Sequence, residues 1–410
     1  MKIVVINHSD VKGGAAVVSL RLVNALNEAG VDARMLVTDK QSDNTVVGTM
    51  GSKWGNKWRF LAERLGVYLR NGMNRESLFK IDPSSHGVDI ATHPWVKDAD
   101  VVCLNWVNQG TLSLNGIEKI AKSGKPIVWT MHDMWNCTGV CHHAYECQGY
   151  KATCESCHLL SSKGQDLSTT TQERKKRLYN DANIHFVAVS NWLAAKCRES
   201  SLMHDSDISV IANAFPVERF SAGRLPNSDY GIDDSKKVVV MGAARLDDTV
   251  KGFDQLIATT RYISEQKPEL AKRLHLLLFG AIKDASLLEQ IALPYSHLGM
   301  VSDVASVYGH GDVVLSTSLY ETLPGTLIEG EASGCLPVTF GMGGQADIVD
   351  HMKTGYIAEY KDAASVAAGI DWAINANVSR QFLHDEVERK FAAPMIAQSY
   401  INLFNKIIKT

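Results

Sequence analysis

Short runs rich in valine, isoleucine and leucine recur along this chain, each followed by a polar or glycine-containing loop and then a helical pattern. That alternation constrains the fold more than any other feature. Residues 2–7, 31–38, 100–105, 126–130, 185–190, 237–243, 274–280, 296–298, 312–315 and 338–340 have the short, continuously apolar character of strands buried on both faces. Residues 208–216 read as one more strand and a turn. Strands of this kind belong to parallel sheets, whose crossovers are helices. Between them, residues 15–30 have helical apolar spacing closed by glycine, and residues 116–122, 174–181 and 393–408 also read as helices. A chain of 410 residues built this way is expected to form two α/β domains of about 200 residues each.

Composition narrows the function classes. A formal net charge of −3 argues against bulk nucleic-acid binding, which needs a strongly basic face. The apolar fraction of 45% with 21% charged residues is ordinary for a soluble α/β protein. The opening MKIVVINHSD reads as a strand and not a signal peptide, and no apolar run approaches the ~20 residues of a membrane span. The expected location is therefore cytoplasmic.

The densest chemistry lies in residues 316–344. Glu321 and Glu329 stand eight positions apart, with Thr322-Leu323-Pro324-Gly325-Thr326 between them. Proline and glycine favour a tight turn there. From Thr326 the spacing of Leu327, Ile328, Ala332 and Cys335 is helical, with Gly334 as a stop. A turn feeding a helix N-terminus offers backbone N–H groups to an anion. Two carboxylates flanking it can accept hydrogen bonds from several hydroxyls, as a sugar and a ribose require. Arg245 and Lys251 follow the strand at 237–243, a fork and a point charge suited to a diphosphate. Gly13 and Gly14 follow the first strand, and His132 follows the strand at 126–130, where open α/β sheets bind ligands. Each feature also has a plain reading: solvated helix carboxylates, a basic turn, a strand-to-helix connection, a structural histidine.

Together they resemble glycosyltransferase family 4, the retaining enzymes of GT-B architecture. The motifs are Glu321-x7-Glu329 with ASGCLPV at 332–338 and GMGG at 341–344, TMHDMW at 130–135, ISVIANAFP at 208–216 and KGFDQLI at 251–257. The resemblance covers nearly the whole chain and is similar to bacterial polysaccharide-biosynthesis members. It implies two Rossmann-like domains facing across a cleft. These are an acceptor-side domain at 1–216 with a Cys-rich insertion at 137–157, a donor domain at 217–392, and a helix at 393–410 crossing back. It further implies transfer of a sugar with retention from a nucleotide sugar, UDP in preference to GDP, to an acceptor hydroxyl in polysaccharide or glycolipid assembly. The acceptor is a saccharide or a lipid-linked molecule. By the same likeness Glu321 holds the transferred sugar, Glu329 the ribose, Arg245 and Lys251 the diphosphate, and His132 a sugar hydroxyl. Gly13, Gly14, Gly325, Thr326 and Leu327 would border the donor, and the backbone around Met300 the base. No Asp-x-Asp motif stands near these residues, so no catalytic metal is expected. The alternatives are a GT-B nucleotide-sugar epimerase and a non-enzymatic sugar-binding protein.

Two stretches fall outside that scheme. Five of the eight cysteines lie within 137–157, and Cys141, Cys147, Cys154 and Cys157 read C-x5-C-x6-C-x2-C. Clustered thiols in a cytosolic protein suit a structural zinc, with disulfides or free thiols as the alternatives. Cys137 stands apart from the set. The other stretch is 51–75, where Trp54, Trp58, Leu61, Leu65 and Tyr68 make one helical stripe ringed by Lys53, Lys57, Arg59, Arg64 and Arg70. It reads as a helix packed by that stripe on its own domain. The alternative is a helix lying on the inner membrane face through residues 53–70.

Overall fold

The computed structural model describes residues 1–162 and 164–409. The chain divides into two compact units, Met1–Phe215 with Ala393–Thr410 and Pro216–Ala392. In the first, seven strands run β1 (Lys2–Ser9), β2 (Asp32–Asp39), β3 (Val47–Thr49), β4 (Val101–Leu104), β5 (Ile127–Met131), β6 (Ile184–Ala188) and β7 (Ile208–Val210). Its helices are α1 (Gly14–Glu28), α2 (Lys53–Arg70), α3 (Pro94–Asp98), α4 (Leu114–Lys122), α5 (Leu167–Asp181) and α6 (Asn191–Arg198). The second unit has β8 (Lys237–Arg245), β9 (Leu274–Ala281), β10 (Tyr295–His297), β11 (Val313–Ser316), β12 (Leu336–Phe340) and β13 (Tyr356–Ala358). Its helices are α7 (Phe253–Gln266), α8 (Pro268–Ala271), α9 (Val304–Gly309), α10 (Gly325–Ala332), α11 (Gln345–Ile348), α12 (Ala363–Asn375) and α13 (Arg380–Phe391). Finally, α14 (Ala393–Lys409) returns to the first unit.

Both sheets are parallel, in the orders β3-β2-β1-β4-β5-β6-β7 and β10-β9-β8-β11-β12-β13. Each order reverses direction at one place, between β1 and β4 and between β8 and β11. Those are the points where open α/β sheets bind ligands, outside the carboxyl ends of the strands. The apolar runs are buried because helices cover both faces of each sheet. Val5, Met35, Val128 and Val187 share a core with Tyr400 and Phe404 of α14 in the first unit. Val239, Leu276, Val313 and Val338 share one with Ile263, Ile370 and Leu383 in the second. Tyr400 also exchanges a 2.9 Å hydrogen bond with Thr130, so α14 is fixed to β5 by a polar contact as well as by packing. No helix among the described residues is long and apolar enough to cross a membrane.

Several elements differ from the sequence reading. Helix α5 begins seven residues before 174, because Asp166 caps it through the N–H groups of Ser168 and Thr169, with Thr169 bonding back. Helices α12 and α13 occupy a stretch for which the motifs gave no element. Most consequential, α2 is turned over. Trp54, Trp58, Leu61 and Leu65 are exposed and Tyr68 is half-buried, while Glu63, Arg64 and Val67 face inward. Arg64, expected among the surface cations, donates to the carbonyls of Leu78 and Ile81 and to the Asp82 carboxylate. Glu63 accepts from the N–H groups of Ser85 and His86. Buried charges are tolerated when they are hydrogen-bonded in this way. The stripe therefore does not pack on its own domain.

Candidate functional site

The second unit brings most of the expected residues to one edge of its sheet. Arg245 ends β8, Lys251 follows it, Glu321 follows β11, and residues 341–344 follow β12. Two contacts bind these loops together. Gly252 adopts φ +65°, where a Cβ would lie 2.0 Å from the Thr317 carbonyl oxygen, and Thr317 Oγ1 donates back to the Gly252 carbonyl at 2.8 Å. Gly343 adopts φ +134°, where a Cβ would lie 1.9 Å from the Glu321 carbonyl oxygen, and Gly344 N–H donates to that oxygen at 3.0 Å. Only glycine permits both approaches. Their result is that Lys251 Nζ meets Glu321 Oε1 in an ion pair, at the reversal point of the second sheet. Both side chains remain partly open to solvent, at 34% and 20%.

Arg245 is aimed by a shift of register between β8 and β9, a bulge that re-orients the strand end. Its guanidinium lies 3.3 Å from Asp247 and 3.4 Å from Asp248. Its Nε makes no well-directed hydrogen bond, so the fork is not saturated. Helix α10 starts at Gly325 with Pro324 as its cap and no side-chain acceptor on its first N–H groups. Gly325 and Thr326 are half-buried and Leu327 is buried, so the first two are the more open to a ligand. Glu329 is half-buried one turn further along. Met300 is exposed just past β10, beside Gly299, whose carbonyl accepts from Gly280 N–H at 2.7 Å. Sequence reasoning passed over two polar residues here. Gln345 is fully buried with neither amide atom paired, directly beneath the Gly343 turn. Glu331 is buried on α10, and burial pushes its carboxyl up to about 8. Nothing in the sequence distinguishes these from surface glutamine and glutamate.

In the first unit, His132 follows β5, and its Nε2 meets Asn105 Oδ1 at 2.8 Å. Burial pushes its imidazole down to about 4, so it is neutral at pH 7. It lines a small recess of about 10 Å³ with Asn105, Asn213 and Tyr400. Asn105 Nδ2 is buried without a partner there. The adjacent Asp133 anchors the segment through Trp106 Nε1, His142 Nδ1 and Trp135 N–H. Gly13 has φ +90° with open space where a Cβ would stand, and Gly14 opens α1. A separate open pocket of about 760 Å³ lies past the ends of β1, β2 and β3, lined by His8, Thr38, Lys53, Asn56, Lys57 and Phe60 among others.

Cys141, Cys147, Cys154 and Cys157 line one cavity of about 30 Å³. All eight cysteines are free thiols, and among the described residues no three His, Cys, Asp or Glu side chains are disposed to hold a metal ion. Backbone donors nonetheless point at the sulfurs. Gly139 N–H reaches Cys154 Sγ at 3.3 Å and Gly149 N–H reaches Cys147 Sγ at 3.5 Å, while the N–H groups of Leu159 and Leu160 act on Cys157. Lys175, on α5, is fully buried beside them, bonded to the carbonyls of Trp135 and Thr138.

Part of the second unit matches a known family, and the fold matches known structures. Residues 235–376 match the family model described as Glycosyl transferases group 1. The N-acetyl-alpha-D-glucosaminyl L-malate synthase of Bacillus anthracis is 23% identical over 194 residues, 44% of this chain and 48% of that protein. The chain thus spans about half the length of that curated relative. A glycosyltransferase from Rickettsia africae ESF-5 superposes with a TM-score of 0.69 at 15% identity, covering 100% of this chain and 99% of that one. The sucrose-phosphate synthase of Thermosynechococcus elongatus gives 0.66 at 16% identity over 100% of both chains. Anabaena Alr3699/HepE, solved with UDP and glucose, gives 0.62 at 16% identity over 99% of both. The fold is that of GT-B glycosyltransferases, two α/β units each on a parallel sheet, and residues 235–376 form a glycosyl transferases group 1 domain.

Proposed function

We propose that this protein is a retaining glycosyltransferase of family 4 type that moves a sugar from a UDP-sugar to a hydroxyl of a saccharide or lipid-linked acceptor. The observation that carries this reading is the Lys251–Glu321 pair at the sheet reversal point, inside the matched domain. On sugar transfer, charge develops on the departing diphosphate. Arg245, Lys251 and the uncapped N–H groups of α10 are the donors suited to receive it. Glu321, released from Lys251 as the phosphates take the cation, accepts from hydroxyls of the transferred sugar, and Glu329 accepts from the ribose. His132, as a neutral imidazole, can both donate to and accept from a sugar hydroxyl. HepE's capture with UDP and glucose supports the choice of uridine. The test is a panel of nucleotide sugars with and without saccharide and lipid acceptors, following nucleotide release and the anomeric configuration of the product. Acceptor-dependent release from one UDP-sugar with retained configuration is expected. An altered sugar formed without acceptor would make it an epimerase, and binding without turnover a sugar-binding protein.

We further propose that Cys141, Cys147, Cys154 and Cys157 hold a structural zinc. Three observations support this: the shared cavity, the backbone donors at the sulfurs, and the buried Lys175 amine beside them, bonded only to carbonyls among the described residues. Burial pushes the Cys154 thiol up to about 11 and that of Cys141 to about 12, and it pushes the Lys175 amine down to about 7 for want of a negative partner. Four thiolates on Zn²⁺ carry the negative charge it lacks. Rotation of the side chains would have to bring the sulfurs together. Metal analysis of protein purified without added zinc is expected to give about one zinc per chain, and a strong chelator to destabilise the first unit. No metal, with two disulfides found by mass spectrometry, would overturn the assignment.

A further inference from the structure

Helix α2 presents two sides. One is inward in its second half, where Glu63, Arg64 and Val67 are buried. In its first half that same side, with Lys53, Asn56, Lys57 and Phe60, lines the pocket of about 760 Å³. The other side is the apolar stripe. Trp54 is 73% exposed and Trp58 69%, and Leu61, Leu65 and Leu69 continue it to the end of the helix. Met73 and Phe79, beyond the helix, are exposed as well. Isolated exposed apolar residues are ordinary, whereas a contiguous row of large ones marks an interaction surface.

The charge around the row selects the partner. The one acidic residue of α2, Glu63, is buried and bonded to backbone, so the helix shows no carboxylate to solvent. Lys53, Lys57 and Arg70 are exposed and make no ion pair among the described residues. Lys57 lies over the Trp54 ring, 5.7 Å from its centroid. A chain of net charge −3 thus concentrates uncompensated positive charge beside exposed tryptophans. That combination fits the headgroup region of an anionic lipid surface, where indole sits at the interface and lysine meets phosphate. Lys53 and Lys57 also belong to the pocket wall, so one helix joins a polar, cationic pocket to an apolar rim.

We propose that α2 lays Trp54, Trp58, Leu61, Leu65 and Leu69 into an anionic lipid surface, and that the adjoining pocket takes the anionic headgroup of an amphiphilic acceptor held in that surface. The second half rests on the glycosyltransferase reading; the first does not. The headgroup enters past β1 and β2 between His8, Thr38 and the two lysines, while its apolar chains stay beside the stripe.

Sedimentation with vesicles of phosphatidylcholine alone or mixed with phosphatidylglycerol tests the surface. The full chain is expected to pellet with the anionic vesicles at low salt and less at high salt. Trp54→Ser with Trp58→Ser should weaken pelleting on the order of 100-fold, by the apolar area withdrawn from lipid. That variant should keep its thermal midpoint and its acceptor-independent release of nucleotide from the donor. Lys53→Ala and Lys57→Ala should each weaken it about fivefold. Equal binding to neutral vesicles, unchanged pelleting of the tryptophan variant, or a dimer that this variant dissolves would each overturn the lipid assignment. Transfer to a lipid in vesicles but not to its water-soluble headgroup is the expected result for the pocket. Better transfer to the soluble headgroup overturns that half, and absence of any transfer with intact vesicle binding overturns the enzymatic reading alone.

Discussion

Replacing Lys251 with alanine is expected to lower turnover by on the order of 10²–10³, the usual cost of removing one preorganised group from developing charge. Affinity for the nucleoside diphosphate should fall as well, while the free nucleoside, which carries no phosphate, binds nearly as before. The substitution does more than delete a cation. Lys251 neutralises Glu321 in the unliganded protein, so Lys251→Ala leaves an uncompensated carboxylate where the diphosphate is to sit. Like charges at that range oppose binding. Adding Glu321→Gln should therefore recover part of the diphosphate affinity without recovering turnover, because the amide removes the repulsion and supplies no cation. Calorimetry with the two ligands and a single-turnover assay separate the effects. If diphosphate and nucleoside weaken together, Lys251 maintains the fold of the 249–252 turn and does not act on the leaving group.

That pair shows what the sequence could and could not disclose. Lys251 and Glu321 were each picked out by their neighbours, a strand end and a proline-glycine turn, since those signals are local. Their contact was not legible, because it depends on Gly252 lying against Thr317, 65 positions away, and Gly343 against Glu321, 22 positions away. The sheets were legible for the opposite reason: strands buried on both faces declare themselves as uninterrupted Val, Ile and Leu, as β1, β8 and β9 do. The early start of α5 escaped notice because its first six residues are one Leu followed by Ser, Thr and Gln, held by the Asp166 cap, with no apolar periodicity to reveal them. Lys175 escaped likewise, since its acceptors are carbonyls at Trp135 and Thr138. For α2, periodicity gave the stripe and could not give its direction. An apolar face is normally the buried one, and only the distant acceptors Leu78, Ile81 and Asp82 turn the helix so that Arg64 lies inside.

This inversion can be measured as stability. Arg64 is 6% exposed in its side chain and Asp82 is fully buried; Asp82 also accepts from the N–H groups of Ser84 and Gln109. Arg64→Ala leaves that carboxylate without its counter-charge and two carbonyls without their donors. Breaking a buried pair from one side costs about 3–5 kcal/mol. Lysine should not substitute well, since a single ammonium cannot reproduce the fork that reaches three acceptors. Removing the charge from both sides, with Arg64→Met and Asp82→Asn together, should recover a good part of the loss, because the unpaired charge and not the missing attraction is the main penalty. Trp58→Ser, a larger change in side-chain volume, should leave stability within about 0.5 kcal/mol, since that ring already stands in water. Denaturant unfolding followed by far-UV circular dichroism compares the variants on one scale. A stable Arg64→Ala beside an unstable Trp58→Ser would mean that the tryptophan face is the core face. Helix α2 would then have no apolar surface to offer a lipid.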